Sequence, residues 1–271
     1  MDVRSRAAVL QLDPVLDPEE FNAMLRIGSV LEGRLDEPLV SWLRASADPM
    51  FERIALRLEN LGIADWDLWA WGGRDVTDVI DERADATVVD LGGFASIAQL
   101  QTTALAVLDQ LWAQRHERVA RLVVIDEAHN LASPNAETPL ARAVLERIVQ
   151  IAAEGRKYGI WLLLSTQRPS KVHVNVISQC DNLALMKMSS ARDLDDLADV
   201  FAYAPSDLIN RSPGFAQGQA LFAGGSAQSR SSCRWEHASP KRAARTSPCH
   251  CGDAVATHAV GGQRRGRPRG S

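Results

Sequence analysis

Apolar side chains recur every three or four positions through residues 17–62, the spacing of one face of a helix. Asp17-Pro18-Glu19-Glu20 supplies a capping residue, a proline at the first helical position and an acid that completes a capping box, and Asp48-Pro49 repeats the start signal. Gly62 follows the last apolar position, where helices commonly end. We therefore predict helices across residues 17–62, preceded by a short apolar strand at residues 7–12.

From residue 84 the pattern alternates between short apolar runs and longer segments with helical spacing. Strands separated by helices of this length indicate βαβ crossovers and a parallel sheet with helices on both faces. The predicted fold class is α/β, a RecA-like nucleotide-binding core with a mostly parallel sheet. The predicted strands lie at residues 86–91, 122–125, 160–164, 182–188 and 218–222, and the predicted helices at residues 97–115, 137–154 and 193–201.

Three tryptophans, Trp66, Trp69 and Trp71, stand within six residues and are followed by Gly72-Gly73. Aromatic clusters can stack on nucleic-acid bases, but such sites also need basic residues, and none is interleaved here. We therefore interpret the tryptophans as a small satellite core.

The composition is that of a soluble globular protein. At roughly 150 residues per domain, the 271 residues indicate one large domain or a domain with an insertion. Of these residues, 46% are hydrophobic and 24% charged. No apolar run approaches the roughly 20 residues of a membrane helix, and no signal-peptide core follows residues 1–6. The expectation is a cytoplasmic chain with no membrane partner.

Charge divides the chain into an acidic body and a basic tail. Residues 228–271 carry a net charge of +7, which leaves −11 on residues 1–227. Hydrophobic periodicity stops at residue 228, so the tail is predicted to be disordered. The spacing of Cys233, His237 and Cys249-His250-Cys251 matches none of the usual zinc pairs. The arginines of residues 264–269 can contact phosphates without sequence specificity.

The strand at residues 122–125 ends in two acids, Asp126 and Glu127. Open α/β sheets bind ligands at the carboxyl ends of their strands. This is the shape of a Walker B motif, in which the first acid holds magnesium through water and the second polarises the water that attacks a γ-phosphate. The alternative is a structural strand whose acids cap the next loop.

The next strand exits into Ser165-Thr166-Gln167-Arg168-Pro169. A polar side chain at this position in such cores faces the γ-phosphate, so that hydrolysis is sensed by a hydrogen bond gained or lost. Gln167 is the candidate sensor and Thr166 the nearby alternative. In a purely structural interpretation both residues begin a turn that Pro169 forces.

Four segments together resemble the HerA-like ATPases, which are hexameric DNA translocases of the HerA/FtsK group within the RecA-like superfamily. They stand in that family's order and spacing, and the resemblance covers residues 84–225. It implies a core strand plus a variable helical insertion at residues 1–83, the Walker B half of the ATPase core at 84–227 and a separate tail at 228–271. The four segments are residues 122–130, 154–159, 165–170 and 175–180.

The resemblance implies a role for each site residue. Asp126 would order magnesium, Glu127 would activate water, Gln167 would act as the sensor and Thr166 would contact the nucleotide. Arg156 resembles the family's arginine near a subunit interface, where a guanidinium stabilises the transition state in a neighbouring protomer. The alternative is that Arg156 and the adjacent lysine are cations favoured at a helix C-terminus.

The resemblance also implies ligands and partners. These are ATP and Mg²⁺, double-stranded DNA bound without sequence specificity, a homo-hexamer, and a nuclease or another effector. Arg168 and Lys171 are further candidates for an interface or a pore.

The sequence departs from the family in lacking a Walker A loop, G-x-x-x-x-G-K-[ST], whose amides and lysine hold the phosphates. Residues 28–35 have the glycine spacing, but Arg34 replaces the lysine and Leu35 the hydroxyl residue. The small β-barrel of many members is also missing. The expectation is the C-terminal portion of a longer ATPase, beginning just after the P-loop region.

Two other function classes compete with an ATP-hydrolysing translocase or helicase subunit. Asp126-Glu127-Ala128-His129 suggests a DEAH-box helicase, but that class needs S-A-T and Q-x-x-G-R-x-G-R motifs, and the sequence has neither. The other class is a non-catalytic fragment that binds partner subunits or nucleic acid.

Overall fold

The computed structural model describes residues 1–30, 39–69, 74–225 and 231–234. Most of the glycine-spaced segment at residues 28–35, Trp71, and the cysteines and arginines beyond residue 234 lie outside these ranges.

The first third of the chain is helical, as predicted for residues 17–62. The cap signals act as expected, because Asp48 accepts a hydrogen bond from the Met50 amide and Gly62 adopts a left-handed φ of 64° after the fourth helix. The helices are α1 (Val3–Val9), α2 (Pro18–Val30), α3 (Leu39–Ala45), α4 (Pro49–Asn60) and α5 (Val76–Asp81).

The predicted strand at residues 7–12 is wrong, because this stretch belongs to α1 and the turn that follows it. The Asp2 side chain caps α1 by accepting from the Ser5 amide at 2.8 Å. A short apolar run has the same composition in a buried strand and a buried helix, and here Ala7, Val9 and Leu10 are all buried.

The centre of the chain forms a small parallel sheet backed by two long helices, at the positions predicted. Helix α6 (Ile97–Ala113) precedes strand β1 (Arg121–Ile125), and helix α7 (Pro139–Glu154) precedes strand β2 (Ile160–Leu164). The strands pair in parallel, with Ile125 opposite Leu164. The fold is therefore α/β with a small parallel sheet and helices.

The remaining strands form a second, antiparallel sheet, which corrects the prediction of one mostly parallel sheet. Strand β3 (Asn182–Leu185) pairs with β4 (Gln219–Gly224), and β4 pairs with β5 (Ser231–Arg234). Periodicity along a strand does not encode the direction of its neighbour, so the sequence left this point open. The short helix α8 (Val174–Ile177) precedes β3, and the helices α9 (Ala191–Val200) and α10 (Ser206–Ile209) lie between β3 and β4.

The predicted strand at residues 86–91 is wrong. These residues form neither a helix nor a strand, and Val88 is 91% exposed. β-branched composition alone therefore does not produce a strand without a partner. Strand β5 lies within residues 228–271, the tail predicted to be disordered, and the rest of that tail lies outside the described residues.

Two hydrophobic clusters form the core. The larger one joins the N-terminal helices to α6, α7 and the inner face of the parallel sheet, and Trp66 and Trp69 pack against it, as predicted for a satellite core. The second lies between the antiparallel sheet and helices α9 and α10. Ile177 packs against both clusters and so links them. No helix in the described ranges has the length and apolar character that a bilayer crossing requires.

The outer face of the parallel sheet is apolar and uncovered by the described residues. Its side chains Leu122, Val124, Trp161 and Leu163 are between 46% and 62% exposed. We call these four residues the open sheet face. Parallel sheets are normally covered on both faces, so this exposure is unusual.

A buried ion pair joins α1, α6 and α7. The Arg147 guanidinium donates through Nε to Asp109 at 2.8 Å and through a terminal nitrogen to Asp2 at 2.8 Å. Asp109 is almost fully buried and also accepts from the Asp2 amide at 3.1 Å.

Candidate functional site

The parallel register brings the polar ends of β1 and β2 together. Hydrogen bonding continues beyond the strands, since the Ser165 amide donates to the Ile125 carbonyl and the Ala128 amide donates to the Ser165 carbonyl, both at 2.9 Å. The residues after each strand, Asp126-Glu127 and Thr166-Gln167, therefore lie side by side.

Glu127 adopts a left-handed backbone conformation at the end of β1. Its φ is 46° and its ψ is 48°, uncommon for a residue with a side chain. Such conformations cost about 1–3 kcal/mol and cluster at functional sites. Here the strand turns at once into the short 3-10 turn Ala128–Asn130, and Glu127 Oε1 accepts a hydrogen bond from Gln167 Nε2 at 2.7 Å.

His129 completes this group, although the sequence motifs assigned it no site role. Its Nδ1 lies 3.2 Å from Thr166 Oγ1 and 3.3 Å from Glu127 Oε2. Thr166 Oγ1 also accepts from the Arg168 amide at 3.1 Å. The available signal in the sequence was that the histidine stands two residues after Glu127. The turn at Glu127 places the two side chains on the same side of the chain. We call Glu127, His129, Thr166 and Gln167 the strand-end cluster.

Asp126 lies beside the cluster with an exposed side chain. Its Oδ1 accepts from the Glu127 amide at 3.0 Å, which leaves its second oxygen available. Mg²⁺ binds through one or two carboxylates and keeps several waters, so Asp126 fits an ion held through water. The described chain has no group of three or more side chains that could enclose a metal ion. No segment of the sequence fits a phosphate-holding Walker A loop.

Arg156 is the one predicted site residue that the structure does not bring to the cluster. It follows α7 in the 3-10 turn Gly155–Tyr158 and donates to Asp181 Oδ2 at 2.6 Å. The Arg156 side chain is 74% exposed. The turn requires glycine at its start, because a Cβ on Gly155 would lie 2.8 Å from the Ile160 carbonyl oxygen. The arginine is thus held at the surface, in an ion pair within the chain.

The loop that carries Gln167 is fixed at its far end by helix α9. Asp193 accepts from the Ser170 amide at 3.1 Å, and its own amide donates to Ser190 Oγ. Burial acts to raise the pKa of Asp193, but the hydrogen bonds from Ser170 and Ser190 and the nearby Arg192 charge hold that pKa below its ordinary value. The second sheet's helix layer therefore positions the end of the candidate sensor loop.

This contact gives a prediction about acid. A carboxylate with a lowered pKa stabilises the fold above its unfolded value, about 3.9, and loses that contribution as the pH falls through the folded value. We expect the Ser170 amide shift in NMR to titrate with a midpoint below about 3.9. Asp193→Asn should abolish the titration, and a midpoint above that value would contradict the contact.

Comparisons with known proteins identify relatives of part of the chain. No family model matches the sequence. Over 103 residues it is 33% identical to the DNA double-strand break repair helicase HerA of Pyrococcus furiosus, a match that covers 38% of this chain and 18% of that protein. HerA of Sulfurisphaera tokodaii is also 33% identical over 103 residues, covering 38% and 20%. The matched segment spans about a fifth of the length of these curated relatives.

A solved structure also has a partial likeness. The genome packaging NTPase B204 of Sulfolobus turreted icosahedral virus 2, in complex with ATP-gammaS, superposes with a TM-score of 0.37 at 17% identity. The superposition covers 47% of this chain and 60% of that one. The identity to the two HerA helicases confirms the resemblance to HerA-like ATPases that the four motifs predicted.

Proposed function

We propose that this chain carries the acid-bearing half of the nucleotide site of an ATP-driven DNA motor subunit of the HerA type. The observation that carries the proposal is the 2.7 Å hydrogen bond from Gln167 Nε2 to Glu127 Oε1, between the ends of two neighbouring parallel strands. It pairs a carboxylate suited to activating water with an amide suited to sensing a change there. In this proposal β1 and β2 are neighbouring strands of a RecA-like sheet.

Each residue of the site then has a distinct task. Glu127 orients and polarises the attacking water, and Gln167 reports on the γ-phosphate by exchanging its hydrogen bond to Glu127. Asp126 holds Mg²⁺ through water, and bound magnesium would neutralise charge on the phosphates. Thr166 offers a hydroxyl to the nucleotide. Holding the phosphates is the one task of the site for which this sequence supplies no residues.

Arg156 acts, in this proposal, on the nucleotide of a neighbouring subunit in a hexamer. Its hydrogen bond to Asp181 supports the idea of a switch between two partners, because an exposed ion pair is worth only about 0–1 kcal/mol and is easily exchanged. Duplex DNA bound without sequence specificity and a nuclease or similar effector complete the proposed assembly.

The open sheet face favours a second candidate, a non-catalytic subunit. Four apolar side chains between 46% and 62% exposed form a patch that a partner polypeptide could cover. Under this candidate the strand-end cluster is a structural turn, and the chain serves to bind other subunits.

Nucleotide experiments separate the two candidates. We expect the purified chain to show no magnesium-dependent ATPase activity, because it has no Walker A loop to hold the phosphates. We still expect Mg·ATP-gammaS to bind with a dissociation constant in the millimolar range, which corresponds to a binding free energy of about 4 kcal/mol. At such concentrations it should shift the NMR signals of residues 126–129 and 165–168.

The control for these shifts is Asp126→Asn, which should remove them without altering the fold. Shifts confined to other regions, or none at all, would favour the non-catalytic subunit. Turnover that survives purification and is abolished by Glu127→Gln would overturn the expectation of inactivity while supporting the assigned chemistry.

A further inference from the structure

The imidazole of His129 stands between two oxygens that belong to different strand ends. Nδ1 is 3.2 Å from Thr166 Oγ1 and 3.3 Å from Glu127 Oε2. The His129 side chain is 23% exposed, so the ring is held in place by its surroundings. Whether Nδ1 donates or accepts a hydrogen bond depends on the tautomer of the ring. The groups around the ring determine which tautomer is the more stable.

The carboxylate of Glu127 is only half satisfied by the groups already described. Its Oε1 accepts from Gln167, whereas Oε2 is buried and has no aligned hydrogen-bond donor. Buried polar atoms nearly always have a partner, so an orphaned carboxylate oxygen indicates a missing donor. His129 Nδ1 lies 3.3 Å from Oε2, an electrostatic contact that is not aligned as a hydrogen bond.

The tautomer with its proton on Nε2 fits these surroundings poorly. It would place the lone pair of Nδ1 near an anionic oxygen 3.3 Å away. Nδ1 could then only accept from the Thr166 hydroxyl. With the proton on Nδ1, the ring donates to Thr166 Oγ1 and its positive N–H edge lies near Glu127 Oε2, and Thr166 Oγ1 has the lone pairs to accept from His129 as well as from the Arg168 amide.

We propose that His129 carries its proton on Nδ1 and is a positioning residue for Glu127. This inference rests on the proposed function, in which Glu127 activates water. Gln167 donates to one carboxylate oxygen and the imidazole lies against the other, which restricts the orientation of the carboxylate. Because each carboxylate oxygen has about two acceptor sites, a water can still bind to the carboxylate.

Nitrogen NMR of the full chain with ¹⁵N-labelled histidines tests this tautomer without any nucleotide. His173 provides an internal reference, because its Nδ1 accepts from the Asn175 amide at 3.1 Å and its proton must therefore lie on Nε2. We expect His129 to show the opposite pattern in the same spectrum, at a pH where both rings are neutral. His129 showing the His173 pattern would overturn the proposal.

Two variants separate a role towards Glu127 from simple packing. Glu127→Gln should shift the His129 tautomer ratio towards Nε2–H by about tenfold, because it removes the nearby negative charge that favours a proton on Nδ1. Thr166→Val, which removes only the hydroxyl, should leave Nδ1–H as the major form. The reverse order of effects would show that His129 serves Thr166, and would overturn the assignment.

A second readout does not depend on the Glu127 variant folding. His129→Leu should move the Gln167 side-chain amide signals, because the Glu127 carboxylate loses the imidazole that lies against Oε2, and His129→Gln should retain part of the wild-type shift through its own polar amide. Unchanged Gln167 signals in His129→Leu would count against the positioning role. The tautomer of His129 and the binding of nucleotide are measured in separate experiments. If nucleotide does not bind, a proton on Nδ1 can still be observed, and if the proton is not on Nδ1, nucleotide binding can still be observed.

Discussion

Replacing Asp109 by alanine should lower the free energy of unfolding by about 3–4 kcal/mol, because it leaves a buried guanidinium without its main counter-charge. The Arg147 side chain is 15% exposed and that of Asp109 is 3% exposed, so water cannot substitute for the missing carboxylate. The Asp2 amide would also lose its acceptor. Since this network ties α1 to α6 and α7, the loss should loosen the N-terminus against the central helices.

Urea unfolding followed by circular dichroism measures this effect, and two variants serve as controls. Arg156→Ala removes an ion pair whose side chains are 74% and 67% exposed, and it should change stability by less than about 0.5 kcal/mol. Asp109→Ala combined with Arg147→Met should recover more than about 1 kcal/mol, because it leaves no buried charge unpaired and the Asp2 carboxylate, 50% exposed, remains in contact with water. If the single and double variants are equally unstable, the buried ion pair is not the cause.

Replacing Gly224 by alanine should cost roughly 4 kcal/mol and act mainly on the second sheet. The φ of Gly224 is 117°, a conformation that side chains rarely adopt. An added Cβ would collide with the Asp181 carbonyl oxygen and lie 2.7 Å from Asn182 Cα. Because Gly224 pairs with Asn182 in the ladder, the strand has no room to move without breaking its pairing.

The adjacent Gly225 offers a matched control. A Cβ there would meet nothing within 4 Å, so Gly225→Ala should leave stability within about 0.5 kcal/mol of wild type. Hydrogen exchange of the β3 and β4 amides should rise in Gly224→Ala, whereas exchange in α6 and α7 should change much less. Equal destabilisation by both alanines would mean that the contacts around Gly224 are looser than the geometry implies.

The elements that sequence predicted best are those whose local signals agree with their surroundings. Helix α6 has its apolar spacing and a serine cap, and helix α7 begins at a threonine cap followed by proline. Strands β1 and β2 have apolar runs that end in polar residues. In each case propensity, pattern and burial lead to the same structure.

The errors arose where the structure depends on a partner distant in sequence. Residues 7–9 are helical because the capped α1 packs against α6 and α7, which a local pattern does not encode. Residues 86–91 lack a neighbouring strand, and the direction of β3 depends on the return of β4 more than 30 residues later. Apolar composition predicted burial, but not which element would cover each segment.

For the site, the sequence predicted that Glu127 follows one strand of the sheet and that Thr166 and Gln167 follow the next. The parallel register of β1 and β2 then brings their ends together. The position of His129 was not predicted because it depends on the left-handed backbone conformation of Glu127. No pattern of side chains predicts that conformation in a residue other than glycine. The roles of Asp126, Glu127, Thr166, Gln167 and Arg156 in catalysis remain predictions.

The open sheet face also governs how the chain behaves among its own copies. Four apolar side chains attract at contact distance whatever the salt concentration. The net charge of the chain is −4, with −11 on residues 1–227 and +7 on residues 228–271, so charges on two copies attract as well as repel, and both effects fade beyond the Debye length, about 10 Å at 0.1 M salt and about 3 Å at 1 M. Association that persists in concentrated salt is therefore expected to come from the open sheet face.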